Sequence, residues 1–529
     1  MRINNVTIND QTIPLSNMVV IVGSNGTGKT RLLEELNWAF TNRGDKTNFW
    51  KIKFEENLLS DDISKWFVSL IYYMERNNKT WYSPFTKWNN DHDGLTMADE
   101  AYSNYTYDQD KFIKDHGVAF IKEFIHYLPV NQRLTVGQSA GITPPNQRTN
   151  EVLNLLFKNR KILDEINIEL IRTFKKKALI MPHILPNIEL RVVDSDIKNI
   201  PKFDISDTTT SYQNYVDWLK ENEIVNVSME GHGIQAFLHI MLTYCVPLNH
   251  LLLIDEPEIH LYPSVKRKFG NTLGKISENN KKQFICVTHD SDFLQGIFDS
   301  KCDATIIRIK KIGKSRELFF KAVKNDMKYL AGQNQTPFLQ IPFLDAAIIV
   351  EGATDRLVYE SVFYDNNFLS DIEYKFISAG GKDSISNPVR IANDLKVPYV
   401  VILDIENLKI KENLHLMKLN SIKENDDLLK EISEIGKNLG GIENFTSRGV
   451  EAILDKDLKE RVSTLIAYLK TVGIFIVYKG TLESWGNIEV NSKNQFPEKF
   501  IEDYNKDKKS FKQMISFLKE IETYLLQYQ

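Results

Sequence analysis

Cysteine is scarce in this chain: Cys245, Cys286 and Cys302 are scattered through 529 residues and odd in number. They form no CxxC pair, so neither a zinc site nor a disulfide framework is supported. Long apolar runs are missing as well. None reaches the roughly 18 residues that a membrane span requires, and the stretch from Met1 to Val6 carries no apolar signal region. These absences lead to the expectation of a cytoplasmic protein with no membrane partner. A dominant sign of charge is also lacking. The net charge of −4 speaks against a large nonspecific DNA-coating surface and says little about a local groove. Short basic runs at Lys175–Lys177, Lys310–Lys311 and Lys506–Lys512 read as solvated faces. No internal repeat or low-complexity stretch is present.

What the chain does have is length and two motif sets. Its size admits roughly two to four domains with ample buried core. The first motif set begins with an apolar strand, Met18–Val22, that runs into Gly23-Ser24-Asn25-Gly26-Thr27-Gly28-Lys29-Thr30. Leu32, Leu33, Leu36 and Phe40 then follow at helical spacing. Strand, glycine loop and helix form the context in which backbone N–H groups converge on phosphates. Gly23, Asn25, Gly26 and Gly28 are therefore candidate nucleotide-binding residues; Lys29 would neutralise the β and γ oxygens, and Thr30 would ligate Mg²⁺.

A second strand, Leu251–Ile254, ends in Asp255-Glu256. Asp255 is expected to help hold Mg²⁺, and Glu256 to polarise the attacking water. His289, after the strand Ile285–Thr288, takes the position of a γ-phosphate sensor. Lys29 and Asp255 stand too far apart for a compact nucleotide domain, so residues from about 41 to 225 are read as an insertion. Within it, residues 78 to 110 show no clear period, and Asn150–Phe174 fits one amphipathic helix or a hairpin of two. The stretch 150–187 is the candidate helical dimerisation segment, and Asn131-Gln132-Arg133 a candidate polar loop reaching Mg²⁺ or a partner.

The second motif set lies beyond a break in pattern at Ala331–Pro337. Short strands are expected near 346–351, 374–378, 399–404 and 473–478, with a helical insertion at 408–470 and a closing helix from Lys508 to Tyr528. The first of these strands ends at Glu351, with Asp355 four residues on; the third ends at Asp404, followed by Glu406. Open α/β sheets place ligands at such strand ends. Hard oxygen donors gathered there suit Mg²⁺ or Mn²⁺ on a phosphodiester. Glu483 would add a further metal ligand, Lys479 would neutralise transition-state charge, and Glu351 is the candidate general base. The turn Ser378-Ala379-Gly380-Gly381-Lys382-Asp383 reads equally as a substrate contact or an ordinary loop.

Asn226-Val227-Ser228-Met229-Glu230-Gly231-His232-Gly233, just before the Asp255-Glu256 strand, resembles the signature motif of ABC-type ATPases, including the SMC-like group. That resemblance implies that Ser228 and Gly231 close over nucleotide bound to a partner subunit, hence at least a homodimer. Ser228 as a plain helix N-cap is the alternative reading. The later carboxylates resemble the TOPRIM domain, although TOPRIM usually has Asp where Glu406 stands. The whole order resembles the OLD family, in which an ABC-type ATPase precedes a TOPRIM nuclease and of which Gabija and some retron systems use similar members. The implied fold is α/β: an ABC-type P-loop ATPase domain over 1–335 and a TOPRIM domain over 336–529. The implied activity is that of a nucleotide-regulated DNA endonuclease that depends on Mg²⁺ or Mn²⁺ and serves antiphage defence, in homodimers or higher homo-oligomers. A defence-system protein or nucleic acid would be a further partner. The competing expectation is an ATP-driven DNA clamp whose TOPRIM domain is non-catalytic and binds a partner.

Overall fold

Strands that end in a chemistry-bearing motif are short runs of buried aliphatic residues: Met18–Val22, Leu251–Asp255 and Ala346–Val350 are buried along their whole length. Such runs, apolar on both faces, are what parallel central strands require. The computed structural model describes residues 3–42, 50–54, 125–132, 134, 140–141, 152–158, 160–182, 187–201, 208–245, 250–279, 282–313, 315–323, 337–409, 412–419, 422–486 and 495–528. The chain divides into two compact units, one built largely from residues before Ile307, the other from Gly332–Gln529 together with Val22–Thr27 and Arg308–Lys321.

The first unit opens with β1 (Asn5–Ile8), β2 (Gln11–Pro14), β3 (Met18–Val22), α1 (Lys29–Asn42) and β4 (Ile52–Phe54). Asn9 and Asp10, both at positive φ, make the tight turn that pairs β1 with β2. Next come β5 (Ile125–Leu128), β6 (Ala140–Gly141), α2 (Val152–Lys158), α3 (Arg160–Phe174), β7 (Lys176–Pro182), β8 (Asn187–Asp194) and α4 (Thr208–Glu221). They are followed by α5 (His232–Cys245), β9 (Leu251–Asp255), α6 (Pro263–Asn279), β10 (Gln283–Val287), α7 (Ser291–Ser300), β11 (Ala304–Ile312) and β12 (Ser315–Val323). A six-stranded sheet runs in the order β12-β11-β3-β10-β9-β5. Its register places Ile21, Val287 and Asp255 abreast on parallel strands. The loops after β3, β9 and β10 therefore leave from one edge, the edge where open α/β sheets collect ligands.

The segment 150–187 is not helical throughout. Helices α2 and α3 cover its first part, but Lys175 sits at φ 60° and ends α3, and β7 then pairs antiparallel with β8 over Lys176–Pro182. The β-prone, half-buried run Ala178-Leu179-Ile180-Met181 gains a ladder partner that a local periodicity reading cannot see. Behind it, Met181 and Val193 pack with Tyr215, Leu219 and Ile224 in a separate small core. The irregular stretch at 78–110 lies outside the described residues.

The second unit is built on β13 (Ala346–Val350), α8 (Ala353–Asp365), β14 (Tyr374–Ser378), α9 (Ser386–Asp394) and β15 (Tyr399–Asp404). The helices α10 (Asn413–Met417), α11 (Asp426–Leu439), α12 (Phe445–Arg448) and α13 (Lys456–Thr471) fill the insertion before β16 (Ile474–Val477). Helices α14 (Phe496–Lys506) and α15 (Lys512–Leu526) close the unit. The four strands are parallel in the order β14-β13-β15-β16. One face buries Phe475 against Phe517, Trp485 and Tyr524. Each fully buried aromatic of this kind contributes roughly 1.5–3 kcal/mol, enough to fix β16 against α15. With β13 and β15 neighbours at the centre, the residues at their C-terminal ends are brought side by side.

Candidate functional site

The phosphate loop is shaped by its glycines. Gly23, Gly26 and Gly28 take φ of 149°, 72° and 92°, conformations that side chains other than glycine resist. Asn25 and Gly26 are exposed at the apex, whereas Lys29 is buried at the start of α1. Thr30 Oγ1 donates to Asp255 Oδ1 at 3.1 Å, so the residues expected to share Mg²⁺ already meet. Glu256 takes φ 49° just past β9 and anchors its N–H on Val287 O at 2.8 Å. Its Oε1 lies 3.1 Å from Nδ1 of His289. Thus Thr30, Asp255, Glu256 and His289, drawn from three separated motifs, form one contact chain along the sheet edge.

Ser228 lies on a short 3₁₀ turn, exposed, and is itself held rather than capping. Asn226 Oδ1 accepts from both its N–H and its hydroxyl, at 2.9 Å each. The turn's cap is thus Asn226, and α5 starts later, at His232. Gly231 has open space where a Cβ would stand, so no contact among the described residues demands glycine there. Gly233 differs: a Cβ would come within 2.7 Å of His260 O, tying the start of α5 to the loop after Glu256. Asn131 and Gln132 sit on the 3₁₀ turn just after β5, at the same sheet edge, while Arg133 lies outside the described residues.

The second constellation is built at the ends of β13 and β15. Glu351 follows β13, and its Oε1 accepts from the Asp404 N–H at 3.1 Å and from Asn407 Nδ2 at 2.6 Å. Asp355 is the N3 residue of α8, and its Oδ2 accepts from the Gly352 N–H at 2.8 Å. Burial pushes the Glu351 carboxyl above its usual range; the bonds from Asp404 N–H and Asn407, with the charge of Lys382, oppose the rise, and Asp355 adds to it. Asp355 is raised by burial and by Glu483. Asp404 is pushed up to about 9, first by burial and then by Glu351, Asp355, Glu483 and Glu406. Mutual repulsion among buried carboxylates is what a bound cation would relieve.

The donor set therefore fits a hard divalent ion in chemistry and charge. Yet among the described residues no three His, Cys, Asp or Glu side chains close into a preformed cage. The reason is visible in their partners: Glu351 and Asp355 spend oxygens on backbone and amide N–H groups, and Glu406 turns to Lys382, whose Nζ donates to it. Glu483 is exposed on the 3₁₀ turn after β16, and Lys479 is half-buried just before it.

Three residues outside the motifs belong to these sites. Asn407 is fully buried and bridges Glu351 Oε1 to Asp404 O. Lys382, on the glycine turn after β14, contacts Glu406 and Glu412. Glu258 is buried behind Glu256 and accepts from Thr288. Asn407 left a local trace, three residues past Asp404 in a turn-forming run, and Lys382 left another as part of the glycine turn Ser378–Asp383; Glu258 left none.

Comparison with known proteins agrees with both halves. The AAA ATPase domain model matches residues 76–294, and the model of the overcoming lysogenization defect protein-like TOPRIM domain matches residues 343–405. An OLD nuclease of Thermus scotoductus is 27% identical over 171 residues, covering 30% of this chain and 32% of that protein. Protein ea59 of Escherichia phage lambda is 26% identical, covering 55% and 48%, and Endonuclease GajA of Bacillus cereus is 22% identical, covering 45% and 35%. The chain thus matches a third to a half of the length of these relatives. Among the described residues no helix is long and apolar enough to cross a membrane. The chain thus matches an AAA ATPase domain and, after it, an OLD-like TOPRIM domain, the order seen from its own motifs.

Proposed function

We propose that the chain is a nucleotide-regulated, divalent-metal-dependent DNA endonuclease. The observation that carries this reading is the gathering of Glu351, Asp355 and Asp404 at the ends of β13 and β15, with Asp404 pushed up to about 9 by burial and its acidic neighbours. Mg²⁺ or Mn²⁺ would be held there by Glu351, Asp355, Asp404 and Glu483, and when bound would stabilise charge on the phosphodiester oxygens. Glu351 is kept in place by Asn407 and the Asp404 N–H, and its raised proton affinity suits it to take the proton of the attacking water. Lys479, at the next strand end, is the candidate to offset transition-state charge.

In the ATPase domain, Lys29 and the glycine loop would bind the triphosphate and Thr30 with Asp255 its Mg²⁺. Glu256, in contact with His289, would orient water on the γ-phosphate. Ser228 and Gly231 are exposed, as residues that act on a partner's nucleotide must be, which supports a homodimer. A role in defence against phage is an extension from the family and is testable by plaque formation. The direct test is incubation with supercoiled plasmid and Mg²⁺ or Mn²⁺, with and without ATP. Metal-dependent nicking by the parent, lost in Glu351→Ala and changed in ATP response by Lys29→Ala, is expected. Equal nicking by parent and Glu351→Ala would overturn the proposal.

A further inference from the structure

Glu406 is, among the described residues, the acidic residue of the second constellation that is paired with a cation. Lys382 Nζ donates to Glu406 Oε1 and, at 3.2 Å, to Glu412 Oε2. The lysine is placed there by backbone rather than by a loose side chain. Ala379 N–H and Gly381 N–H donate to Val350 O and Glu351 O, each at 2.9 Å, which sews the turn to the end of β13. Gly380 and Gly381 take φ of 77° and 130°, so the sharp reversal that presents Lys382 depends on glycine. Asp383 Oδ1 lies 3.0 Å from His415 Nε2, which ties the other side of the turn to α10.

The direction of Glu406 is fixed by its neighbour. Ile405–Leu408 form a 3₁₀ turn, in which successive side chains diverge by about 120°. Asn407 is fully buried on Glu351 and Asp404, so Glu406 is aimed elsewhere, and Lys382 stands where it points.

We propose that Lys382 is the resident cation of the Glu406 position. It holds that carboxylate out of metal coordination, and the centre takes a single divalent ion on Glu351, Asp355 and Asp404. This rests on the reading of those carboxylates as a metal centre and specifies its stoichiometry.

The test is Mn²⁺ titration of the full chain, counted by the EPR signal of free Mn²⁺, in an Asp255→Asn background that removes the ATP-site ligand and without nucleotide. A single Mn²⁺ per chain is expected. Asp404→Asn should weaken it by about tenfold or more, and Glu406→Gln by less than about threefold. Lys382→Met should free Glu406 and admit a second, weaker ion, whereas Lys382→Arg should keep the single-ion count. Thermal melting without Mn²⁺ checks that each variant folds. Two ions in the parent, or a Glu406→Gln loss equal to that of Asp404→Asn, would overturn the role of Lys382 while leaving the metal centre intact. No Mn²⁺ binding, or binding untouched by Asp404→Asn, would remove the metal centre itself and this inference with it.

Discussion

Thr288 donates its hydroxyl to Glu258 Oε1 at 2.6 Å, and both residues are sealed from solvent. Thr288 in turn accepts from the Asp290 N–H at 3.0 Å. Glu258 stands two residues past Glu256 and Thr288 one before His289, so this bond joins the two loops that carry the candidate hydrolytic pair. The other oxygen, Oε2, has no hydrogen-bond partner among the described residues.

Burial pushes the Glu258 carboxyl up to about 8 from an ordinary 4.5, against the opposing bond from Thr288. A raised value in the folded state means that folding takes up a proton between those two values. The stabilisation is complete below the unfolded value and is lost as pH rises through about 8. Glu258→Gln keeps an acceptor for Thr288 and removes the titration. Melting temperatures of parent and variant followed from acid to mildly alkaline pH should therefore diverge, with the parent falling more steeply as pH rises. Parallel curves would count against a protonated Glu258.

In the roles proposed for them, the contacting pairs Thr30–Asp255 and Glu256–His289 would serve binding and hydrolysis separately. Lys29→Ala should lose nucleotide binding, because the buried ammonium proposed to neutralise the phosphates is removed. Glu256→Gln should keep binding and lose about 10²-fold or more in ATP turnover. Fluorescent-nucleotide titration beside phosphate release distinguishes the two, and a Glu256→Gln variant with parental turnover would displace Glu256 from its role.

The motifs are legible in the sequence because their strands are: buried aliphatic runs such as Leu251–Ile254 and Ala346–Val350 declare themselves, and the residues after each run land at one edge of its sheet. The β7–β8 ladder is not, since Lys176–Pro182 acquires strand character from pairing with Asn187–Asp194 and not from its own period. Lys382 is hidden for a related reason. Its partners Glu406 and Glu412 lie 24 and 30 residues away, and only the glycine turn hints that something is being presented. Glu258 resembles any polar residue after a strand, because burial of a carboxyl is a tertiary property.

Gly233 supplies a packing test of the loop after Glu256. A Cβ there would lie 2.7 Å from His260 O and 3.1 Å from a Leu261 methyl, and His260 itself is at φ 67° with little freedom to retreat. Gly233→Ala should cost about 1–3 kcal/mol in urea unfolding and reduce ATP turnover by shifting that loop. Gly231→Ala, with open space around it, should leave stability within about 0.5 kcal/mol. Equal losses for the two would contradict the packing argument.

The acidic centre should trade stability for binding. Asp404 is raised to about 9 from 3.8 by burial and by four neighbouring carboxylates, so without metal the fold loses stability as pH climbs from the lower value toward the upper. Asp404→Asn removes that ionisation while keeping the backbone N–H that serves Glu351. At neutral pH and without divalent ions it is expected to be more stable than the parent, by on the order of 1–2 kcal/mol or a melting shift of about 2–4 °C. Added Mn²⁺ should narrow or reverse the ranking, raising the parent's melting temperature through binding to the folded state and the variant's much less. Plasmid nicking should be lost in the variant under both conditions. A variant less stable than the parent in the absence of metal would mean that Asp404 is a structural acid, held by its hydrogen bonds, rather than a ligand kept under repulsion until a cation arrives.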